Sequence, residues 1–496
     1  MNDEQTGLRP LGLAEEGRRR TKIVATLGPA TDDPGVLEKL IRGGVDVFRI
    51  NFSHGTSAER QQRVAAIRAT ANNVGRDVAI MGDLQGPKIR VESFRAGSVM
   101  LTEGMQFTLD TAMPADAGDE HGVAVAYPDL VRDVHAGDVL LLNDGQIVLD
   151  VEHVERTQIR CRVTQGGALG DHKGLNKQGG GLSAPALTDK DRVDIQAAAD
   201  LGLDFVAVSF ARHAKDIEEA RKLLRAAGGD AHIVAKIERA EAVANIRAII
   251  DASDVIMVAR GDLAVEVGYA SMTGLQKGLI RLARSRNKVS ITATQMLESM
   301  IASPAPTRAE VSDVANAVMD GTDAVMLSAE TAVGRYPVQA VRTMAELCIG
   351  AEKHEPSRRI ANYRIDDEFQ YVDEAIAMAV MYTANHFSVK AIIALTESGS
   401  STLWMSRVRS DIPIFAFTRH EATRRRVSLY RGVYPLFFDV FHTELKTIQQ
   451  AVFDVLRSEG AVVPGDRVLL TMGEAHGVSG STNTMQILTV PADRIA

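Results

Sequence analysis

The sequence predicts an α/β protein: a (β/α)8 barrel with an inserted small all-β lid domain and a C-terminal α/β domain. Three observations lead there. Short runs rich in Val and Ile alternate with helix-period stretches from Lys22 onward. After the third run comes a gap of turn-rich texture, about a hundred residues long. Beyond Cys348 a polar stretch, 352–367, precedes a fresh series of strand and helix patterns.

The barrel strands are predicted at 22–28, 45–53, 78–86, 204–210, 232–238, 255–263, 288–294 and 323–330, with helices such as 214–227 and 308–319 between them. Eight strands in strict alternation with helices favour a closed TIM barrel over an open sheet. In the gap, alternating runs at 99–101, 139–142, 147–151 and 159–163 are punctuated by Ala136-Gly137-Asp138, Asn143-Asp144-Gly145 and Gly179-Gly180-Gly181. Residues 88–186 are therefore expected to form a lid of β-barrel type inserted in a barrel loop, and the chain re-enters the barrel at a helix near Leu187. The barrel takes 21–87 and 187–350 after a tail, 1–20. The third domain, 351–496, has strands expected near 391–395, 414–418, 435–439, 468–472 and 486–490.

Length and composition agree with several domains, since 496 residues exceed what one hydrophobic core supports. A formal charge of −8 gives no global attraction for nucleic acid or an anionic membrane. Two widely separated cysteines, Cys161 and Cys348, fit a reducing cytoplasm better than a disulfide framework. Residues 1–20 lack the apolar core of a signal peptide, so a cytoplasmic protein is expected.

In barrels of this class the chemistry sits at the C-terminal ends of the strands. Polar residues close each run here: Arg49, Asn51 and Ser53; Asp83; Ser209; Lys236 and Glu238; Arg260 and Asp262; Thr294; Ser328 and Glu330. One charged residue at a strand end is ordinarily a solvated loop residue or an ion pair. The joint pattern carries more, because neighbouring strands bring Lys236, Glu238 and Asp262 to one mouth. Two carboxylates from adjacent strands suit Mg2+ or Mn2+, hard cations that keep waters and take remaining ligands from substrate. Lys236 and Glu238, two apart, share a face of their strand, and a buried structural pair is the competing reading.

The strand ends also carry longer motifs. They include Thr21-Lys22-Ile23-Val24-Ala25-Thr26-Leu27-Gly28-Pro29, Arg49-Ile50-Asn51-Phe52-Ser53-His54, Gly82-Asp83-Leu84-Gln85-Gly86-Pro87-Lys88-Ile89-Arg90, Ala235-Lys236-Ile237-Glu238, Ala259-Arg260-Gly261-Asp262-Leu263, Ala293-Thr294-Gln295-Met296 and Met326-Leu327-Ser328-Ala329-Glu330. Together and in order these resemble the pyruvate kinase family, in its bacterial form, from about Thr21 to Val490.

The resemblance implies phosphoryl transfer from phosphoenolpyruvate to ADP, giving pyruvate and ATP in glycolysis. It implies Glu238 and Asp262 as ligands of Mg2+ or Mn2+, Lys236 at the transferring phosphoryl group, and Arg49 and Arg90 as phosphate clamps. Gly261, Asp262, Thr294 and Ser209 match the substrate site, with Thr294 beside the proton relay. Pro29, Asn51, His54, Arg90 and the lid's Lys173 match the nucleotide side.

Potassium-requiring members hold K+ at residues matching Asn51, Ser53, Asp83 and Leu84 and carry Glu where this chain has Lys88. The resemblance to the potassium-independent subgroup extends to Leu84, Gln85 and Val91, so no K+ requirement is expected. Ala264 stands where the family has Gly, raising the question of a φ > 0 position.

In the third domain, Thr396-Glu397-Ser398-Gly399-Ser400-Ser401 and Ser481-Thr482 resemble the family's sugar-phosphate pocket, although helix capping explains such strings equally well. Glu397 replaces the basic residue of bisphosphate-activated members, so a sugar monophosphate or AMP is the expected effector, and family members are homotetramers. Two rivals are a metal-dependent aldolase or lyase on a similar barrel and a silent ligand sensor. The first lacks the inserted lid and the lysine before the glutamate; the second is disfavoured by the intact Lys236, Glu238, Asp262, Arg49 and Thr294.

Overall fold

The computed structural model describes residues 18–354, 368–440, 447–473 and 480–492. The predicted tail, save 18–20, and residues 355–367 of the polar stretch lie outside them. Eight parallel strands close into a barrel in chain order: Lys22–Thr26, Val47–Asn51, Ala79–Asp83, Phe205–Val208, His232–Ile237, Val255–Ala259, Val289–Ala293 and Ala324–Leu327. Six of them are buried at every residue, as expected of strands covered on both faces.

The strands mostly end two to four residues before the predicted boundaries. Arg49, Asn51, Asp83 and Lys236 lie in the last residues of their strands, while Ser209, Glu238, Asp262, Thr294 and Glu330 follow the sheet; two of the exits pass through left-handed backbone, at Phe210 (φ 55°) and at Thr294 (φ 68°) with Gln295 (φ 54°).

The opposite end of the barrel is tied by a repeated device. Asp46, Asp204, Asp254 and Asp323 each immediately precede an even-numbered strand, and each carboxylate accepts a hydrogen bond from a backbone N–H of the preceding odd-numbered strand. The donors are Ile23 at 2.8 Å, Ile80 at 2.8 Å, Ile233 at 2.8 Å and Ser290 at 2.9 Å. An arginine meets each aspartate: Arg19 at 2.9 Å, Arg68 at 2.7 Å, Arg221 at 2.8 Å, and Arg407. At Asp46 burial opposes ionisation, yet Arg19, Lys22 and Arg76 hold the carboxyl below its usual range.

The chain divides into two compact units, one of residues 1–82, 201–205 and 280–496, the other of 83–200 and 206–279. The second unit includes the lid. Its six-stranded sheet runs Leu175–Lys177, Val139–Leu142, Ile147–Glu155, Gln158–Gln165, Gln106–Asp110, Gly122–Ala124, beside a ribbon of Gly167–Gly170 with Ser98–Leu101. Phe107, Leu140, Leu142, Leu149 and Cys161 fill its core. The strands 106–110, 122–124, 167–170 and 175–177 escape the sequence reading, being short, glycine-bearing or without clear alternation.

The first unit ends in a five-stranded sheet, ordered Val433–Phe437, Ile414–Thr418, Ala391–Leu395, Arg467–Gly473, Thr482–Thr489, with only the last strand antiparallel. Cys348 is buried in the helix Pro337–His354.

Candidate active site

The second unit gathers Asp83, Leu84, Ser209, Lys236 and Glu238 around one ammonium group. Lys236 lies one residue from the end of the fifth strand and Glu238 just beyond it. The Lys236 Nζ is 2.9 Å from Glu238 Oε1 and 3.3 Å from Asp83 Oδ1, and it donates to Ser209 Oγ at 2.7 Å. Ser209 Oγ in turn donates to the Leu84 carbonyl at 2.8 Å.

Two local backbone choices hold this cluster. The left-handed Phe210 turns its N–H onto Glu238 Oε2 at 2.7 Å. Gly86 (φ 66°) lets the chain pass so close that a Cβ there would meet Ser209 Cβ and Phe210 Cδ2 at 2.8 Å; its N–H is held by Asp191 at 3.1 Å.

Burial pushes the Glu238 carboxyl above its usual range; the Lys236 ammonium opposes that shift and the Asp262 charge adds to it. Asp262 sits in the first turn of the helix Arg260–Val267, where a carboxylate faces the positive end of the helix dipole. Its Oδ1 is 3.0 Å from Lys88 Nζ, which also lies 3.9 Å from Asp144. Lys88 is thus seated on the expected divalent-ion ligand, while the carboxylate of Asp83, expected at a monovalent site, is met by Lys236. Ala264 lies within the same helix and outside the positive-φ positions, so its methyl group strains nothing.

The donor set fits a hard divalent cation. Glu238 and Asp262 offer only oxygen, and burial together with the Asp262 charge raises Glu238, a shift that a bound dication would oppose. Among the described residues no group of three His, Cys, Asp or Glu could hold a metal. Two carboxylates with the rest supplied by water and substrate is the Mg2+ pattern.

The first unit carries the remaining barrel residues. Arg49, in the second strand, donates to Thr26 Oγ1 at 3.1 Å, and Asn51 Oδ1 accepts from Ser53 N at 3.0 Å. Pro29 and His54 are exposed. Thr294 holds its left-handed turn with Oγ1 donating to the Ala293 carbonyl at 2.6 Å, a strained geometry for a β-branched residue. Glu330 accepts from Ser328 N at 2.7 Å and Leu297 N at 3.1 Å, so this strand-end carboxylate ties loops together. In the lid, Arg90 Nη1 donates to the His172 carbonyl at 2.9 Å, next to Lys173, and both side chains are exposed.

At the third-domain loops, Gly399 N donates to Thr396 Oγ1 at 2.9 Å, Ser400 N to Ser398 Oγ at 3.4 Å, and Thr402 Oγ1 to the Gly399 carbonyl at 2.7 Å. Glu397 meets His420, and Ser401 is buried. Thr482 opens the antiparallel strand, and Ser481 packs against Gly473, where a Cβ would be 2.4 Å from its hydroxyl. The roles of Gly86, Asp191 and Phe210 were missed by sequence reasoning; the glycine beside Pro87 was the one available signal.

A nearly buried ammonium between carboxylates at the strand ends of an eight-stranded barrel, followed on the next strand by a helix that carries Asp262, places the chain among (β/α)8-barrel enzymes with a charged mouth. The family model described as pyruvate kinase, barrel domain, matches residues 18–341, and that described as pyruvate kinase, alpha/beta domain, matches 374–488. The chain is 54% identical to pyruvate kinase II of Salmonella typhimurium over 95% of its length and 99% of that protein's. It is 50% identical to the pyruvate kinase of Haemophilus influenzae, covering 95% and 99%, and 42% identical to that of Geobacillus stearothermophilus, covering 95% and 80%. The chain belongs to the pyruvate kinase family.

Proposed function

We propose that the chain transfers the phosphoryl group of phosphoenolpyruvate to ADP, yielding pyruvate and ATP in glycolysis, with Lys236 as its central catalytic group. The observation that carries this is the Lys236 ammonium, nearly buried, ringed by Glu238, Asp83 and Ser209. Phosphoryl transfer passes through a loose transition state with charge spread over oxygens, so fixed positive charge does most of the work. Lys236 meets that charge at the phosphoryl group and the enolate left behind. Glu238 and Asp262 would hold Mg2+ or Mn2+, which supplies Lewis-acid charge at the substrate oxygens.

Arg49 and Arg90 clamp phosphate oxygens. Gly261, Asp262, Ser209 and Thr294 bind the substrate, with Thr294 beside the proton path to enolpyruvate carbon. Pro29, Asn51, His54 and Lys173 face the nucleotide. The domain borders at 21–87 with 187–350, 88–186 and 351–496 belong to this reading, which makes 88–186 a lid that excludes water. So do a homotetramer, a cytoplasmic location, and activation by a sugar monophosphate or AMP at Thr396–Ser401 with Ser481 and Thr482. The cation at Lys88 supports activity without K+, in place of a site at Asn51, Ser53, Asp83 and Leu84.

A lactate-dehydrogenase-coupled assay with phosphoenolpyruvate, ADP and MgCl2 tests the reading. Turnover without KCl is expected, raised by a sugar monophosphate or AMP. Absence of turnover sinks the function, and turnover strictly dependent on KCl sinks the role of Lys88. Among the described residues no helix is long and apolar enough to cross a membrane.

A further inference from the structure

Three separate stretches of the lid segment reach the single helix Arg260–Val267. On the entry side Lys88 pairs with Asp262 at 3.0 Å. The turn between the strands Val139–Leu142 and Ile147–Glu155 brings Gly145 to Val265, where a Cβ would lie 3.9 Å from both methyl carbons. On the return side, just after the strand Leu175–Lys177, Gly179 N donates to the Glu266 carbonyl at 3.0 Å, and the Asn176 side chain hydrogen-bonds the Glu266 carboxylate.

Glu266 is the hub of these contacts. It lies four residues after Asp262, one turn along the same face of the helix. Although only 2% exposed, it keeps a carboxylate, which also accepts from Ala240 N at 3.0 Å and faces Arg239 at 4.0 Å. Burying an ionisable group is costly, and here it pushes the carboxyl up to about 7. An apolar side chain would fill the space without that cost, so the bonds to Asn176 and to the Ala240 N–H are what the carboxylate provides, beyond the Gly179 bond that the main-chain carbonyl makes.

The return strand is gripped beyond Glu266 as well. Gly181 N donates to Glu241 Oε1 at 2.6 Å, and the Leu182 carbonyl accepts from Arg212 at 3.1 Å and Arg239 at 2.9 Å. Gly180 (φ 83°) passes the Glu241 carboxylate so closely that a Cβ would sit 2.6 Å from it. The glycine triplet 179–181, readable in sequence only as a turn, is the shape this grip requires.

We propose that Glu266 is a positioning residue: its carboxylate, through Asn176, adds to the main-chain bond from Gly179 in fixing the Arg260–Val267 helix to the lid's return strand, so the placement of the lid sets the placement of Asp262 and the Gly261–Asp262 amides. The inference rests on the phosphoryl-transfer reading, in which those groups bind substrate. Glu266 touches no reacting atom and acts only through its helix. The test is a double-mutant cycle of Glu266→Ala and Asn176→Ala on the full chain, read in the coupled assay and by amide hydrogen exchange.

Each single variant is expected to raise KM for phosphoenolpyruvate about tenfold with kcat within about threefold, and the double variant to be no worse than the poorer single. Glu266→Gln, which keeps the shape and an acceptor, is expected to stay within about threefold of wild-type KM. Hydrogen exchange at 179–181 and 261–263 should speed up together in both single variants. A merely structural role would lower thermal stability with KM unmoved. KM within twofold of wild type in both singles, or a double variant showing the product of the single effects, overturns the proposal. Should Glu266→Ala fail to fold, Asn176→Ala alone decides through KM and the exchange at 261–263. If wild type itself lacks turnover the functional reading falls, and the exchange arm, which needs no activity, still decides whether lid strand and helix are coupled.

Discussion

Replacing Lys236 with Met removes one positive charge from a nearly closed space and keeps most of the side-chain volume. The two carboxylates left behind, Asp83 and Glu238, have side chains 1% exposed and lie 3.3 and 2.9 Å from the lost ammonium. At an effective dielectric constant of about 20, each contact amounts to roughly 5 kcal/mol of Coulomb attraction before desolvation is counted. Breaking a buried pair by deleting one partner costs about 3–5 kcal/mol net, because the survivors are left uncompensated. Protonation of Glu238, whose carboxyl burial already raises, caps that loss in the variant.

The catalytic cost is larger, since a single cation at a transferring phosphoryl group is worth about 10³–10⁵ in rate. The coupled assay should therefore show turnover down at least a thousandfold in Lys236→Met. The melting temperature should fall by several degrees, less at acidic pH than at neutral pH. Lys236→Arg should recover the stability better than the rate, because a planar fork cannot reproduce a point charge at three oxygen partners. Turnover within tenfold of wild type would refute the central role given to this ammonium.

Glu238→Gln should abolish the gain in melting temperature on adding MgCl2; in wild type, ion at a hundred times its Kd is worth about 2.7 kcal/mol. Calorimetric titration with Mg2+ checks the same loss directly. Glu266, with its carboxyl raised from 4.5 to about 7, contributes stability that is full below about pH 4.5 and disappears as pH rises through 7. The span is worth about 3 kcal/mol, so urea melts of wild type and Glu266→Gln should converge at acidic pH and favour the variant above pH 8. Gly86→Ala adds a methyl group at a positive φ against Ser209 and Phe210, and should cost about 2–4 kcal/mol with a raised KM; unchanged unfolding by urea would contradict the close approach.

The barrel was legible because its strands are short, mostly apolar runs separated by longer helical stretches, which leaves little ambiguity between the two. Lys236, Glu238 and Asp262 stood out as candidates because they close consecutive runs and sit in long motifs. What the residues could not show was partnership. Nothing in the string pairs Lys88 with Asp262 or gives Ser209 the task of bridging Lys236 to the Leu84 carbonyl.

The aspartates before the even strands form a visible repeat, Val-Asp-Val, Leu-Asp-Phe, Ser-Asp-Val, Thr-Asp-Ala, yet their hydrogen bonds cross from strand to strand and so have no signature along the chain. Ala264 taught the opposite lesson: a departure from the family pattern that seemed to threaten backbone geometry falls inside a helix, where Ala is the best residue available. Strand ends were overextended where the chain leaves the sheet without a break in its apolar pattern, through left-handed residues at Phe210 and Thr294 and straight into a helix at Arg260.

The two cysteines have a practical consequence. Cys161 in the lid core and Cys348 in its helix are both buried, and burial pushes both thiols up to about 12, so neither forms thiolate at neutral pH. The folded chain is therefore mute toward maleimides and other thiol reagents as it stands. A single cysteine introduced on the exposed face of residues 88–186 and another on the barrel would take fluorophores selectively without removing a native residue, giving a direct ruler for the distance between them during turnover.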